Sequence, residues 1–325
     1  MSIFPPVVLL TDRAWPDDLV EREIIEGAGF TFVSGPADPA PAAVIEKLVR
    51  EHQPTAILTC WAPVSATAIG AAPELRVVAR MGVGLDNIDV TAATDRGVLV
   101  TNVPDFCVAE VSDHAVGMIL AWTRGLVTAN SAVRAGRWQP AGARLRRIGA
   151  LTCGIVGYGR IGRETARKLA AFGTRILATD PHPPAAPDPA EFVDLDSLLA
   201  SSDVVVVHAP LTPETRGLIG APQLARMRPG GLLVNVSRGG LVDTTAVIDA
   251  LATGHLGGAA LDVLDTEPDV PADLLAQEGA LITPHVAFTS ELALLDLRRG
   301  AAEEVVRVLT GQPARHPRNT VSVAG

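Results

Sequence analysis

Three glycines, Gly157, Gly159 and Gly162, stand in the spacing Gly-x-Gly-x-x-Gly, and an acid, Asp180, stands at the end of the next apolar run. These residue types at this spacing suit the pyrophosphate and ribose of a dinucleotide. Gly157 permits a tight turn, Gly159 lets a pyrophosphate approach the backbone, and Gly162 lets a helix pack closely on the preceding strand. The start of that helix offers unpaired N–H groups and a positive dipole end to the phosphates. A carboxylate at Asp180 accepts hydrogen bonds from ribose hydroxyls and repels a 2′-phosphate, which predicts NAD rather than NADP. In a chain with 30 Gly the spacing alone is weak. Its context gives it weight: an apolar run at 154–156, a helix-like run at 163–172, and a second apolar run at 174–179 that delivers the acid.

Other residues could carry a reaction. Arg238 follows the apolar run of Val-Asn-Val-Ser-Arg-Gly-Gly, at a strand's carboxyl end, where open α/β sheets bind ligands. Its guanidinium matches a carboxylate in two-pronged fashion; a surface arginine on a tight turn is the plain alternative. Asp262, Asp265 and Glu267 lie in Leu-Asp-Val-Leu-Asp-Thr-Glu-Pro, a pattern equally at home in a solvated loop. His285, in Thr-Pro-His, becomes an acid–base candidate if Glu267 sits beside it, since a carboxylate raises an imidazole's pKa and fixes its tautomer. In Arg80-Met-Gly-Val-Gly-Leu-Asp-Asn, the glycines around Val83 expose backbone N–H groups to an anion, while Asp86 and Asn87 also fit a helix cap.

The elements that must position these residues alternate. Strands are expected at 7–11, 31–34, 56–59, 76–79 and 98–101, with helices at 17–27, 40–51, 66–71 and 88–96. Longer helices are expected at 108–122 and 127–135. After the glycine-rich unit come strands at 204–208, 232–236, 258–262 and 281–283, helices at 196–200, 222–226 and 244–253, and a final helix at 291–309. The proline-dense stretch 181–189 is a loop. Such alternation implies parallel sheets covered by helices on both faces, and 325 residues suggest two domains.

Composition narrows the class. A net charge of −9 is unsuited to binding nucleic acid. The small cluster Arg144, Arg146 and Arg147 fits a solvated loop or a subunit contact. No apolar run is long enough to span a membrane, and the first residues do not read as a secretory signal. The three scattered cysteines suggest reduced thiols in the cytoplasm, with no metal-ligand spacing.

Taken in order, Gly-Val-Gly-Leu-Asp-Asn-Ile-Asp, Gly-Tyr-Gly-Arg-Ile-Gly, Asn-Val-Ser-Arg-Gly-Gly-Leu-Val-Asp, Leu-Asp-Val-Leu-Asp-Thr-Glu-Pro and Thr-Pro-His resemble the D-isomer-specific 2-hydroxyacid dehydrogenase family along nearly the whole chain. The resemblance implies two doubly wound parallel-sheet domains with a cleft between them. One is a substrate-binding domain at 1–103 plus 289–325. The other is a Rossmann NAD-binding domain at 104–288, whose 108–137 helices form a homodimer interface. It implies an NAD-dependent enzyme that interconverts a small 2-keto acid and its D-2-hydroxy acid. In that reading Arg238 binds the carboxylate, His285 exchanges the proton, and Glu267 orients His285. Val83 and Gly84 hold the carboxylate through their backbone. Arg160 and Ile161 lie on the pyrophosphate, and His208, Ala209 and Pro210 flank the adenosine. Val236 and Ser237 approach the nicotinamide, and Asp262 meets its carboxamide. No metal and no C-terminal regulatory domain are expected.

Two features resemble the branch that contains C-terminal-binding-protein-like members: Arg80 before Gly-Val-Gly, and Pro-His-Val-Ala-Phe-Thr-Ser-Glu, which departs from the branch at Thr289. That branch supplies a second reading, an NAD(H)-sensing corepressor-like binding module with little turnover. Trp61 and Phe288 are either lining for an apolar substrate side chain or core packing, and Arg80 points instead to a second acidic group on the substrate.

Overall fold

A computed structural model describes residues 5–13, 15–138, 145–185 and 189–321. The chain divides into two compact units, Met1–Phe106 with Ser290–Gly325, and Cys107–Thr289. Arg144, and residues 186–188 of the proline-dense stretch, lie outside the described residues.

The first unit begins with β1 (Val7–Leu10), α1 (Leu19–Gly27), β2 (Thr31–Ser34), α2 (Ala42–His52), β3 (Ala56–Thr59), α3 (Ala66–Ala71), β4 (Val77–Arg80), α4 (Val90–Asp95) and β5 (Leu99–Thr101). Its five strands are parallel, in the order β2-β1-β3-β4-β5. Strands covered on both faces need continuous apolar residues rather than alternation, and Val8, Leu9, Leu10, Ala56, Ile57 and Leu58 are all fully buried.

The second unit holds α5 (Val108–Thr123), α6 (Leu126–Arg134), β6 (Thr152–Val156), α7 (Arg160–Ala170), β7 (Arg175–Thr179), β8 (Glu191–Phe192), α8 (Leu195–Ser201), β9 (Val204–Val207), α9 (Ala221–Arg226), β10 (Gly231–Asn235), α10 (Thr244–Ala252), β11 (Leu256–Leu261), α11 (Ala272–Leu275) and β12 (Ala280–Ile282). Its seven strands are parallel, in the order β12-β11-β10-β9-β6-β7-β8. The order reverses at β6, which has β7 on one side and β9 on the other. Ligands of open α/β sheets bind beyond the strand carboxyl ends at such a switch point. The run Val204–Val207 forms the buried centre of this sheet, each valine at 0% exposure.

The final helix, α12 (Glu291–Leu309), returns to the first unit and packs on α1, β3 and β4. The Arg298 guanidinium grips the fully buried Glu21 of α1 through two bonds of 2.9 Å and reaches Asp17 at 2.7 Å. Removing Arg298 would leave the Glu21 carboxylate buried and unmatched, so the pair ties the late helix to the early one. A strap then runs along β5. Pro317 bridges Thr101 antiparallel. The Asn319 side chain accepts from Val100 N at 2.8 Å and donates to Val98 O at 2.9 Å.

The helix expected at 163–172 begins earlier, at Arg160, because Gly159 is its N-cap, and Gly162 falls within the first turn. β8 and α11, two and four residues long, escape the sequence reading because neither spans a period of its own pattern. Arg146 stacks on Trp122 at 4.3 Å and donates to Gly230 O at 2.6 Å.

Candidate active site

The glycine-rich turn joins β6 to α7. Gly157 has φ +92°, and a Cβ there would lie 2.7 Å from Ala209 N; at Gly162 it would lie 2.2 Å from Gly157 O. Only hydrogen fits at either position. At Gly159 a Cβ would meet nothing within 4 Å, so the space over the turn is open. Gly159 and Arg160 are exposed and Ile161 is half-buried at the start of the eleven-residue helix α7, whose first N–H groups have no partner within the helix. Beyond β7 the Asp180 carboxylate accepts from Tyr158 N at 2.7 Å and His182 N at 2.8 Å. These bonds fix its orientation and leave further lone pairs for ribose hydroxyls. An open turn, a helix start and an oriented acid fit a dinucleotide.

His208 follows β9. Its ring meets Thr165 Oγ1 of α7 at 3.0 Å, and burial pushes its pKa down to about 3, so it is neutral. The side chain braces the turn from within. Ala209 is buried, Pro210 exposed, Val236 buried and Ser237 half-buried, with Ser237 Oγ donating to Val207 O at 2.9 Å.

Beyond β12, His285 Nδ1 lies 2.8 Å from Glu267 Oε2. Glu267 Oε1 also accepts from Leu264 N at 2.7 Å. Burial opposes ionisation of Glu267, but the His285 contact, the Leu264 N–H and the nearby Arg238 charge outweigh it and hold the carboxyl below its usual range. An ionised Glu267 can only accept, so His285 Nδ1 carries the hydrogen and Nε2 is the atom left for chemistry. The His285 ring also meets Phe288 edge to face, with centroids 6.1 Å apart.

His285 has φ +53°, a left-handed conformation that costs a non-glycine residue on the order of 1–3 kcal/mol. The neighbouring backbone is therefore pinned. His285 N donates to Asp262 O at 2.8 Å, and the Asp262 carboxylate, 2% exposed, accepts from Val286 N at 3.0 Å, Ala287 N at 2.9 Å and Thr283 Oγ1 at 2.5 Å. Asp262 organises the loop that carries His285.

Arg238 follows β10 on extended backbone, and its Nη1 donates to Ser237 O at 2.8 Å. Asn235 Nδ2 donates to Arg238 O at 2.9 Å and fixes the turn. The next residue, Gly239, lies directly against the Leu264–Asp265 backbone: a Cβ there would come within 1.9 Å of Leu264 C. This contact joins the Arg238 turn to the loop bearing Glu267.

In the first unit, Arg80 ends β4 and is buried, its guanidinium folded over Gly82 and donating to Met81 O. The Val83–Gly84 turn follows, with Val83 partly exposed. Asn102 Nδ2 donates to Val83 O at 2.6 Å, and Arg318 of the strap donates to Asn102 Oδ1 at 2.6 Å. Trp61 is half-buried after β3, where the fully buried Asp12 accepts from Cys60 N, Trp61 N and Ala62 N at 2.7–3.1 Å. Asn87 donates to Ala62 O at 3.0 Å, so it braces this loop. Asp12, Asn102 and Thr283 bond backbone or carboxylate groups of these loops, and sequence reasoning missed them. Each acts on a partner distant in sequence, and no local spacing marks them. Among the described residues no group of three or more His, Cys, Asp or Glu is arranged to hold a metal, and no helix is long and apolar enough to cross a membrane.

Comparison with known proteins bears on this arrangement. Residues 116–287 match the family model described as D-isomer specific 2-hydroxyacid dehydrogenase, NAD binding domain. The chain is 37% identical over 318 residues to D-3-phosphoglycerate dehydrogenase of Mycobacterium leprae, covering 94% of this chain and 57% of that protein. It is 37% identical over 232 residues to hydroxypyruvate reductase of Thermotoga maritima, covering 70% of this chain and 76% of that protein. The crystal structure of an NADPH-dependent glyoxylate/hydroxypyruvate reductase from Sinorhizobium meliloti, in complex with NADP and malonate, superposes with a TM-score of 0.84 at 32% identity, covering 96% of each chain. The chain thus spans little more than half the length of the phosphoglycerate dehydrogenase it matches.

Proposed function

The chain belongs to the D-isomer specific 2-hydroxyacid dehydrogenase family, and from that premise we propose that it interconverts a small 2-keto acid and its D-2-hydroxy acid with NAD(H). The observation that carries the reading is the 2.8 Å contact of His285 with Glu267, with Arg238 close enough to bias Glu267, beyond the strand ends of the dinucleotide-binding unit. When bound, NADH supplies the reducing equivalent. Arg238 holds the substrate carboxylate and draws electron density from the keto oxygen. His285 delivers a proton from Nε2 to that oxygen, and Glu267 stabilises the charged imidazole through Nδ1. Asp180 favours NADH by repelling a 2′-phosphate.

The relatives named as hydroxypyruvate and glyoxylate/hydroxypyruvate reductases support a two- or three-carbon keto acid as substrate. The test is a panel of glyoxylate, hydroxypyruvate, pyruvate and longer 2-keto acids, followed by NADH absorbance. Turnover of a small keto acid by the wild type, and its loss in His285→Ala with NADH still bound, is expected. Failure of every acid in the panel would overturn the reading. The cofactor-sensing alternative is not favoured, because the named relatives are enzymes.

A homodimer through the second unit is supported by an exposed apolar strip: Leu126, Val127 and Val133 on α6, and Trp138, which is 82% exposed. Patches of this kind commonly mark association surfaces. Analytical ultracentrifugation tests it, and a monomer at micromolar concentration would refute it. The three cysteines are free and buried, with thiols pushed up to about 12 by burial, which supports a reducing cytoplasmic setting.

A further inference from the structure

We infer that Thr283 and His114 are positioning residues for the acid–base imidazole, acting through Asp262 on the backbone that follows His285. The inference rests on the dehydrogenase reading above. His114 lies on α5, 169 residues from Thr283 in sequence, and its Nε2 is 3.0 Å from Thr283 Oγ1. The Thr283 hydroxyl is 2.5 Å from Asp262 Oδ1, and His114 Nε2 is itself 3.7 Å from that oxygen.

Donor counting fixes the direction of this chain. A carboxylate only accepts, so the single Thr283 hydrogen goes to Asp262. The hydroxyl oxygen is then left as an acceptor, and His114 must carry its hydrogen on Nε2. Asp262 Oδ1 accepts from this hydroxyl and from Val286 N, and Oδ2 accepts from Ala287 N. The orientation of one carboxylate is thereby passed to the two peptide units that follow the left-handed His285. The glycine-rich turn and Asp180 follow other strands, β6 and β7, so the pyrophosphate and ribose contacts of the cofactor do not pass through this relay.

The hydroxyl, rather than the bulk of the threonine, is therefore the working group. Thr283→Val keeps the shape and removes both hydrogen bonds, whereas Thr283→Ser keeps them. At position 114, Gln retains an N–H donor and Phe does not. The experiment measures kcat and KM with the keto acid the wild type reduces, NADH affinity by fluorescence titration, and imidazole nitrogen NMR on histidine-labelled protein. Thr283→Val is expected to lower kcat by about 10- to 100-fold with a much smaller loss of NADH affinity, since the pyrophosphate and ribose contacts lie elsewhere. Thr283→Ser should recover to within about threefold of wild type, and His114→Gln should stay closer to wild type than His114→Phe. The spectra should show His114 with hydrogen on Nε2 in the wild type and in Thr283→Ser, and a changed His114 signal in Thr283→Val.

Wild-type kcat in Thr283→Val overturns the proposal, as does equal damage in Thr283→Ser or a matching loss of NADH affinity. Should Thr283→Val fail to fold, the serine and His114 variants decide the matter alone. Should the wild type reduce no keto acid, the dehydrogenase reading fails separately, and the relay then stands or falls on the His114 tautomer; hydrogen on Nδ1 alone would refute it.

Discussion

Gly239→Ala is the sharpest test of how the site is assembled. Gly239 joins the Arg238 turn to the loop of Glu267, and an added Cβ would sit 1.9 Å from Leu264 C, 2.1 Å from its oxygen and 2.2 Å from Asp265 N. Ordinary contact begins at 3.4 Å, so one segment must retreat by about 1.5 Å (3.4 − 1.9). These are backbone atoms, with no rotamer to change. If half of that movement reaches Glu267, its 2.8 Å bond to His285 stretches to about 3.5 Å, beyond useful hydrogen-bond length. Overpacking of this kind costs about 1–3 kcal/mol, a fall of about 2–12 °C in the melting temperature of a unit this size. Misplacing a catalytic group by an ångström costs about 10²-fold in rate. Thermal melts and kcat/KM for a keto acid with NADH measure both effects. A Gly239→Ala protein that melts and turns over like the wild type would show that the two segments are not mechanically joined.

Three further outcomes are expected. Asp180→Ala should shift the NADH-to-NADPH ratio of kcat/KM towards NADPH by about tenfold or more, since one unit of like charge is removed near the 2′-position; an unchanged ratio would remove Asp180 from cofactor choice. Glu267 has a lowered folded-state pKa, so its stabilisation is fully present above its ordinary value of 4.5 and is lost as pH falls through the lowered value. The difference in urea midpoint between wild type and Glu267→Gln should therefore shrink below pH 4.5, and a constant difference would contradict the pairing with His285. His208 is held near 3 in the folded state against an ordinary 6.5, so unfolding takes up a proton in that window and stability should fall as pH drops from 6.5 towards 3. His208→Asn should flatten that slope, and an equally steep slope would mean the ring titrates freely.

The strands were legible because buried parallel strands are continuous apolar runs: 56–59 coincides with the buried strand β3 residue for residue. The glycine fingerprint was legible because each glycine answers a local steric demand. The carboxylates beyond β11 were not distinguishable by type. Asp262 is buried and pins the histidine loop, Asp265 accepts from Thr244 Oγ1 at 2.7 Å, and Glu267 pairs with His285. Three like residues within six positions acquire different tasks only when the fold gives each a different donor. His114 was hidden for the same reason, being one of several polar residues on α5 whose partner, Thr283, lies in the loop just beyond β12.

The strap that follows α12 carries a practical consequence for anyone handling this protein. Pulling on the tail, or trimming it upstream of Pro317, would uncover Val100 N and Val98 O along β5 and release Asn102 from Arg318. Asn102 is also the tether of Val83, so slack at the tail reaches the glycine-flanked turn as well as the edge strand β5. Fusion partners and purification handles therefore belong at the amino end, where traction spares this leash.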